Sequence, residues 1–191
     1  MANKPAGLLA VPGRGADKQD CLSARIQKEF PDALVVHRLD MATSGLMVFA
    51  RGPEMQRRLS QMFREREVAK RYVAVVAGRL EPMTGEVNLP IVADWPNRPL
   101  RKIDAEQGKP SLTRYRILRH NGDTTRVELE PVTGRTHQLR VHMAAIGNPI
   151  LGDALYGEVA SAPRLLLHAS SLSFVHPLTG LPLNFVSTPP F

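Results

Sequence analysis

The chain holds a single cysteine, Cys21, among 191 residues, so it can form neither an internal disulfide nor a thiolate cluster. It has no apolar run near the roughly 18 residues a membrane span requires. Its N-terminus lacks a basic segment followed by an apolar one, the pattern of a secretory leader. These absences predict a protein of the reducing cytoplasm without a membrane contact. Internal repeats and low-complexity segments are also missing.

Several familiar site types are excluded by spacing. No G-x-G-x-x-G follows a strand-like run, and Gly108-Lys109 meets Pro110 without the earlier glycine of a phosphate-binding loop. In His37-Arg38-Leu39-Asp40 the aspartate does not directly follow the arginine, unlike a kinase catalytic loop, and no D-F-G lies downstream. His137 and His142 are five apart, roughly 140° around a helix, so they do not make the i, i+4 pair of a metalloprotease. No cofactor and no metal is expected, and His168 reads as a core histidine rather than a ligand.

What the chain does have is ordinary globular composition, 43% hydrophobic and 23% charged, enough for one substantial core. A single domain over 1–191 is predicted. The formal charge is +7 with a pI near 10, and it is carried by 19 Arg against 6 Lys. Guanidinium forks grip phosphate bidentately and stack on bases, so this bias points to a nucleic-acid partner.

Periodicity predicts the elements. Leu22, Ile26 and Phe30 mark a short helix over residues 20–30, ended by Pro31. Residues 33–36 and 46–50 read as strands. Pro53 opens a helix whose apolar stripe is Met55, Leu59, Met62 and Phe63, with Arg57, Arg58, Arg64 and Arg66 opposite. Residues 70–78 read as a strand placing Lys70, Tyr72, Ala74 and Val76 on one face. Residues 85–92 read as another strand, and 93–109 as a long basic loop. Residues 113–119 and 125–129 alternate around Asn121-Gly122, a strong hairpin signal. Thr136 is the predicted N-cap of a helix over 137–146, with Leu139, Met143 and Ile146 inward and Gly147 as its stop. A last hairpin is predicted through His176-Pro177-Leu178-Thr179-Gly180.

The segment Val36-His37-Arg38-Leu39-Asp40-Met41-Ala42-Thr43-Ser44-Gly45 stands between two strand-like runs, where a carboxylate, an arginine and an imidazole are presented at a turn. An Asp or Ser near a Gly after a strand is, alone, only a turn former. The H-R-L-D-x-x-T-S-G pattern, however, resembles the signature of the RluA-type pseudouridine synthases. Asn3-Lys4-Pro5-Ala6-Gly7 resembles the N-K-P-x-G of that family's first block, with almost nothing before it where most members carry an N-terminal strand. The K-x-Y-x-A-x-V-x-G spacing from Lys70, the run Gly134-Arg135-Thr136-His137-Gln138-Leu139-Arg140-Val141-His142, and the closing R-L-L-L-H-A and H-P-x-T-G are similar to the later blocks in order. Residues 94–99, D-W-P-N-R-P, resemble the members that act on both ribosomal and transfer RNA.

The resemblance implies an α+β fold with a mixed, largely antiparallel sheet, flanking helices and a central basic cleft, without a separate RNA-binding domain. It implies catalysis by Asp40, as nucleophile or electrostatic stabiliser, with Arg140 pairing it and Tyr72 stacking on the uracil. Glycosidic cleavage ordinarily employs two carboxylates, and no second one is marked out in the sequence. An isomerisation that retains the uracil consumes no water and can use one. The uridine would be flipped from its stem-loop, with His37 and Arg38 filling the gap, while Arg98, Arg101, Lys102 and Arg135 contact RNA. The expected substrates are large-subunit rRNA and the tRNA anticodon arm, bound by a monomer without a protein partner. A catalytically silent RNA-binding module and an RNA N-glycosylase are the alternatives.

Overall fold

The computed structural model describes residues 1–191, which cluster into two compact units. The first comprises Met1–Lys70 with His168–Pro190, and the second Arg71–Leu167 with Phe191. No Pro-, Gly- or Ser-rich linker announces the division, so composition alone predicts a single domain. In chain order the elements begin with β1 (Ala2–Lys4), α1 (Leu22–Glu29), β2 (Ala33–Val35), β3 (Ser44–Met47), β4 (Phe49–Arg51), α2 (Pro53–Glu65) and β5 (Ala69–Ala77). They continue with β6 (Thr84–Asn88), β7 (Ile91–Ala93), β8 (Arg101–Ile103), β9 (Leu112–Asn121), β10 (Thr124–Pro131), α3 (Gln138–Ala145), β11 (Leu167–Val175) and β12 (Pro182–Val186). No helix is long and apolar enough to cross a membrane.

In the first unit β3 is flanked by β1, antiparallel, and β11, parallel, and β12 pairs antiparallel with β11. The predicted single strand over 46–50 is two strands. Met47 ends β3, while Phe49 opens β4, which pairs with β2 instead. Buried Val48 lies between them and shares a core with Leu46, Leu59, Met62 and Phe174. Leu59 and Met62 belong to the stripe predicted for α2, which begins at Pro53 after Gly52. In α1 the N-cap is Cys21, whose Sγ accepts from the Ala24 N–H. Leu22 is buried, but Phe30 is not the third member of its stripe. It sits past the helix end at φ −130°, ψ 82°, leaves the helical path, and lies exposed under the Arg51 guanidinium at 5.0 Å.

The second unit is an antiparallel order β5-β10-β9-β6. Along β10, Thr125, Val127, Leu129 and Pro131 are buried in strict alternation, as a half-buried strand requires. The β9–β10 hairpin forms as predicted, although its two turn residues are Gly122-Asp123, one position later than expected, with Gly122 at φ 57°. The predicted strand over 85–92 is interrupted at Leu89-Pro90, because Pro90 has no N–H for a ladder. The predicted loop over 93–109 contains β8, which pairs with β7 to make a small ribbon. Three-residue strands carry too little alternation to register as a period.

One backbone approach fixes the first unit. Gly45, at φ 115°, faces Ala169 across the parallel β3–β11 pairing, and a Cβ there would run into the Ala169 backbone. Only glycine tolerates both the dihedral and the space. Gly45→Ala is expected to destabilise the protein by at least about 2 kcal/mol, read from urea denaturation. An unchanged midpoint would show that the strands separate without cost.

Candidate active site

The turn bearing Asp40 is built by its neighbours. Leu39 is buried, the Thr43 N–H donates to the Asp40 carbonyl at 3.1 Å, and Asp40 itself is partly exposed. The N-terminal segment clamps the same turn. Lys4 is completely buried, and its Nζ donates to the carbonyls of Pro5 (2.9 Å), Leu8 (2.6 Å) and Met41 (2.9 Å). The Gly7 N–H also reaches the Met41 carbonyl, at 2.9 Å. Ser44 Oγ bonds His168 Nδ1 at 2.8 Å, and His168 Nε2 bonds Ser187 Oγ at 3.0 Å. His168 is therefore a core histidine satisfied on both ring nitrogens, as the sequence predicts.

His37 departs from its expected role. Its ring stacks on Phe63, with centroids 4.4 Å apart and planes 18° from parallel, and its Nε2 accepts the Val48 N–H at 3.0 Å. An Nε2 that accepts must be unprotonated. Consistently, burial, with the nearby Lys70 charge, pushes the imidazole from its ordinary 6.5 down to about 3. The ring is thus a neutral strut beneath the turn, already stacked, rather than a side chain free to enter an RNA helix. Arg38, beside it, is exposed.

In the second unit Tyr72 is partly buried on β5 opposite Leu129 of β10. Arg140 lies in the first turn of α3, as predicted, but the N-cap is His137 in a left-handed conformation (φ 58°), not Thr136. Arg140 Nε donates to Asp153 Oδ2 at 2.8 Å and Nη2 to Oδ1 at 2.6 Å, with the two side chains only 5% and 0% exposed. Burial pushes the Asp153 carboxyl up, but the Arg140 bonds and charge and the N–H groups of Leu155 and Tyr156 outweigh it and hold it below the usual range. Asp153 is the functional-looking residue the motif reading misses. Its signal is the Gly152-Asp153…Tyr156-Gly157 cluster, which gives no hint of its partner.

Tyr156 extends this network. Its hydroxyl accepts the Arg101 N–H at 2.9 Å and meets His137 Nδ1 at 2.7 Å, and its ring lies 5.2 Å from the Arg140 guanidinium. The other residues of the G-R-T-H-Q-L-R-V-H run fasten α3. Gln138 bonds Thr133, the Leu112 carbonyl and Thr113, all within 3.0 Å. His142 Nε2 donates to the Leu89 carbonyl at 2.9 Å, so its Nδ1 accepts from Thr113 at 2.9 Å.

Among the predicted RNA contacts, Arg98 is exposed and stacks over Trp95, and Lys102 lies 3.7 Å from Asp104. Arg101 Nε is buried without a hydrogen-bond partner. Arg135 is exposed, its guanidinium donating to the Pro110 carbonyl at 3.3 Å. Of the arginines predicted on the outer face of α2, Arg57 and Arg58 are held by Glu54.

With many exposed arginines, the surface suits a polyanionic partner. The RNA pseudouridylate synthase family model matches residues 1–145. The dual-specificity RNA pseudouridine synthase RluA of Escherichia coli strain K12 is 51% identical over 189 residues, 97% of this chain and 86% of that one. The Pasteurella multocida protein of the same name is 50% identical over 195 residues, 100% and 89% of the two chains. Among solved structures, human RNA Pseudouridylate Synthase Domain Containing 1 superposes with a TM-score of 0.80 at 32% identity, covering 99% of this chain and 79% of that one. The chain belongs to the RNA pseudouridylate synthase family.

Two outcomes follow from the buried ionisable groups. Asp153→Asn removes a buried carboxylate charge from the Arg140 guanidinium and should cost about 3 to 5 kcal/mol in urea denaturation, with Asp153→Ala similar. Between pH 6.5 and about 3, unfolded His37 binds a proton that the folded state refuses, so stability falls as pH falls through that window. His37→Gln should show a shallower decline between pH 6.5 and 4.5; parallel curves for the two proteins would refute the buried neutral imidazole.

Proposed function

We propose that this enzyme isomerises specific uridines to pseudouridine in stem-loops of large-subunit ribosomal RNA and of the tRNA anticodon arm, acting as a monomer in the cytoplasm. The observation that carries the substrate assignment is about 50% identity, over nearly the whole chain, to synthases named for dual specificity. The D-W-P-N-R-P segment at residues 94–99 supports it.

The reaction breaks the C1′–N1 bond and forms a C1′–C5 bond. One proton leaves C5 and one arrives at N1, so no water or redox equivalent is consumed. Asp40 acts on the flipped uridine, from a turn that buried Lys4 and Leu39 hold in place. Arg140 is the arginine assigned to the reaction, and Asp153 orients its guanidinium. Tyr72 stacks on the uracil. Flipping costs roughly a few kcal/mol, least in a loop. With the His37 ring already stacked on Phe63, Arg38 is the side chain that fills the vacated position.

The test is to incubate in vitro transcripts of the two RNAs with protein and map pseudouridine by base-specific chemical modification. Asp40→Ala and Asp40→Asn should reduce product below detection, at least about 1,000-fold, while RNA affinity changes little. Product formed equally well by Asp40→Ala would sink the assignment. Free uracil in the chromatogram would identify a glycosylase, and salt-dependent binding with unchanged uridines a silent module.

A further inference from the structure

Trp95 is the only tryptophan, and it is 64% exposed at the tip joining β7 to β8. Exposing the largest apolar side chain forfeits its burial and contributes nothing to a core, so folding gives no reason for it. The tip is nonetheless ordered. The Asp94 N–H donates to the Leu100 carbonyl at 3.1 Å, the Leu100 N–H to the Asn97 carbonyl at 3.0 Å, and Asn97 Nδ2 to Asp94 Oδ2 at 3.0 Å. At its root, the Arg101 N–H is fixed on Tyr156. The Arg98 guanidinium lies 3.5 Å from the indole centroid, so a planar cation backs one face of the ring and the remainder faces solvent.

An aromatic plane backed by guanidinium suits a nucleobase, which stacks by its π-face while the cation meets the adjoining phosphate. Arg101 and Lys102 of β8 add positive charge, and Arg101 Nε is a buried donor without an acceptor. The other exposed apolar group, Leu178, Leu181 and Val186 around the β11–β12 hairpin, has no aromatic plane and nothing that indicates an occupant. We propose that the ribbon tip is an RNA-binding element in which Trp95, backed by Arg98, stacks on an unpaired base other than the reacting uridine. This deepens the reading of an RNA stem-loop substrate and rests on it. Stacking on an unpaired base selects loops over continuous duplex, because paired bases present no free face.

A single tryptophan makes the contact directly observable. The intact protein is titrated with a substrate stem-loop and, separately, with a blunt RNA duplex of equal phosphate count, following Trp95 emission and measuring affinity by filter binding. The stem-loop should quench emission saturably at its own binding midpoint, whereas bound duplex should leave it unchanged. Trp95→Ala should weaken stem-loop binding by roughly 5- to 100-fold without altering duplex affinity, and Trp95→Phe should restore part of the loss. Arg98→Ala should also weaken it. Being exposed, Trp95 can be replaced without unfolding the chain, which circular dichroism checks.

Emission that stays constant at saturating stem-loop, or wild-type stem-loop affinity in Trp95→Ala, overturns the proposal. Pseudouridine mapping on the same samples separates the two readings. Asp40-dependent product with silent Trp95 refutes the stacking platform and leaves the enzyme assignment standing. Saturable quenching without product supports the platform while counting against that assignment.

Discussion

The Lys4 ammonium is taken entirely out of water and given to the carbonyls of Pro5, Leu8 and Met41. A dehydrated cation costs several kcal/mol unless its donors are satisfied, so the chain must hold these carbonyls in convergence to tolerate it. Met41 follows Asp40 directly. The lysine therefore ties the N-K-P segment to the carboxylate turn by an interaction that cannot loosen gradually. Arg140 and Asp153 apply the same logic in the second unit, where two backbone N–H groups complete the carboxylate's bonding. Buried ionic groups contribute little net stability compared with apolar replacements of equal volume. What they provide is a fixed position for a neighbouring group.

The two motifs separate on this basis into residues left at the surface and residues that hold them. In His37-Arg38-Leu39-Asp40, the imidazole stacks on Phe63 and Leu39 is buried, leaving Arg38 and Asp40 at the surface. Thr43 closes the turn, Ser44 bonds His168, and Gly45 admits the Ala169 backbone. In the helix motif, Gln138 and His142 satisfy groups of β9 and the preceding loops. Arg140, between them, is held bidentately by Asp153. A motif of this kind is mostly scaffold, and substitution at its polar members acts first on geometry.

Local patterns in the sequence disclose the elements whose stability is local. The β9–β10 hairpin is visible because alternation and turn chemistry agree, and α2 because its stripe and Pro53 agree. The β7–β8 ribbon is not, since three residues per strand define no period. Phe30 misleads because apolar spacing does not reveal where a helix ends. The site divides the same way. Motif spacing singles out Asp40, Tyr72 and Arg140 as candidates, but the Asp153 partner, the His37 stack and the left-handed His137 arise from pairings distant in the chain or from packing. Sequence spacing carries no distance between Arg140 and a carboxylate thirteen residues further on across a turn.

The same distinction refines the meaning of the basic composition. Arginines of β9 and β5 meet acids of neighbouring strands: Arg116 and Arg71 both meet Glu128 of β10, and Arg114 meets Glu86 of β6. Exposed pairs of this kind add at most about 1 kcal/mol each and spend their charge locally. They account for arginines that a tally of composition would have assigned to RNA. The charge left over is carried by side chains with no such partner, among them Arg38 beside Asp40 and Arg98 on the ribbon tip. A net +7 therefore understates the selectivity of the surface, because neutralisation is uneven. Long-range attraction to RNA follows the total, whereas discrimination among RNAs depends on where these few unpaired guanidinium groups are fixed.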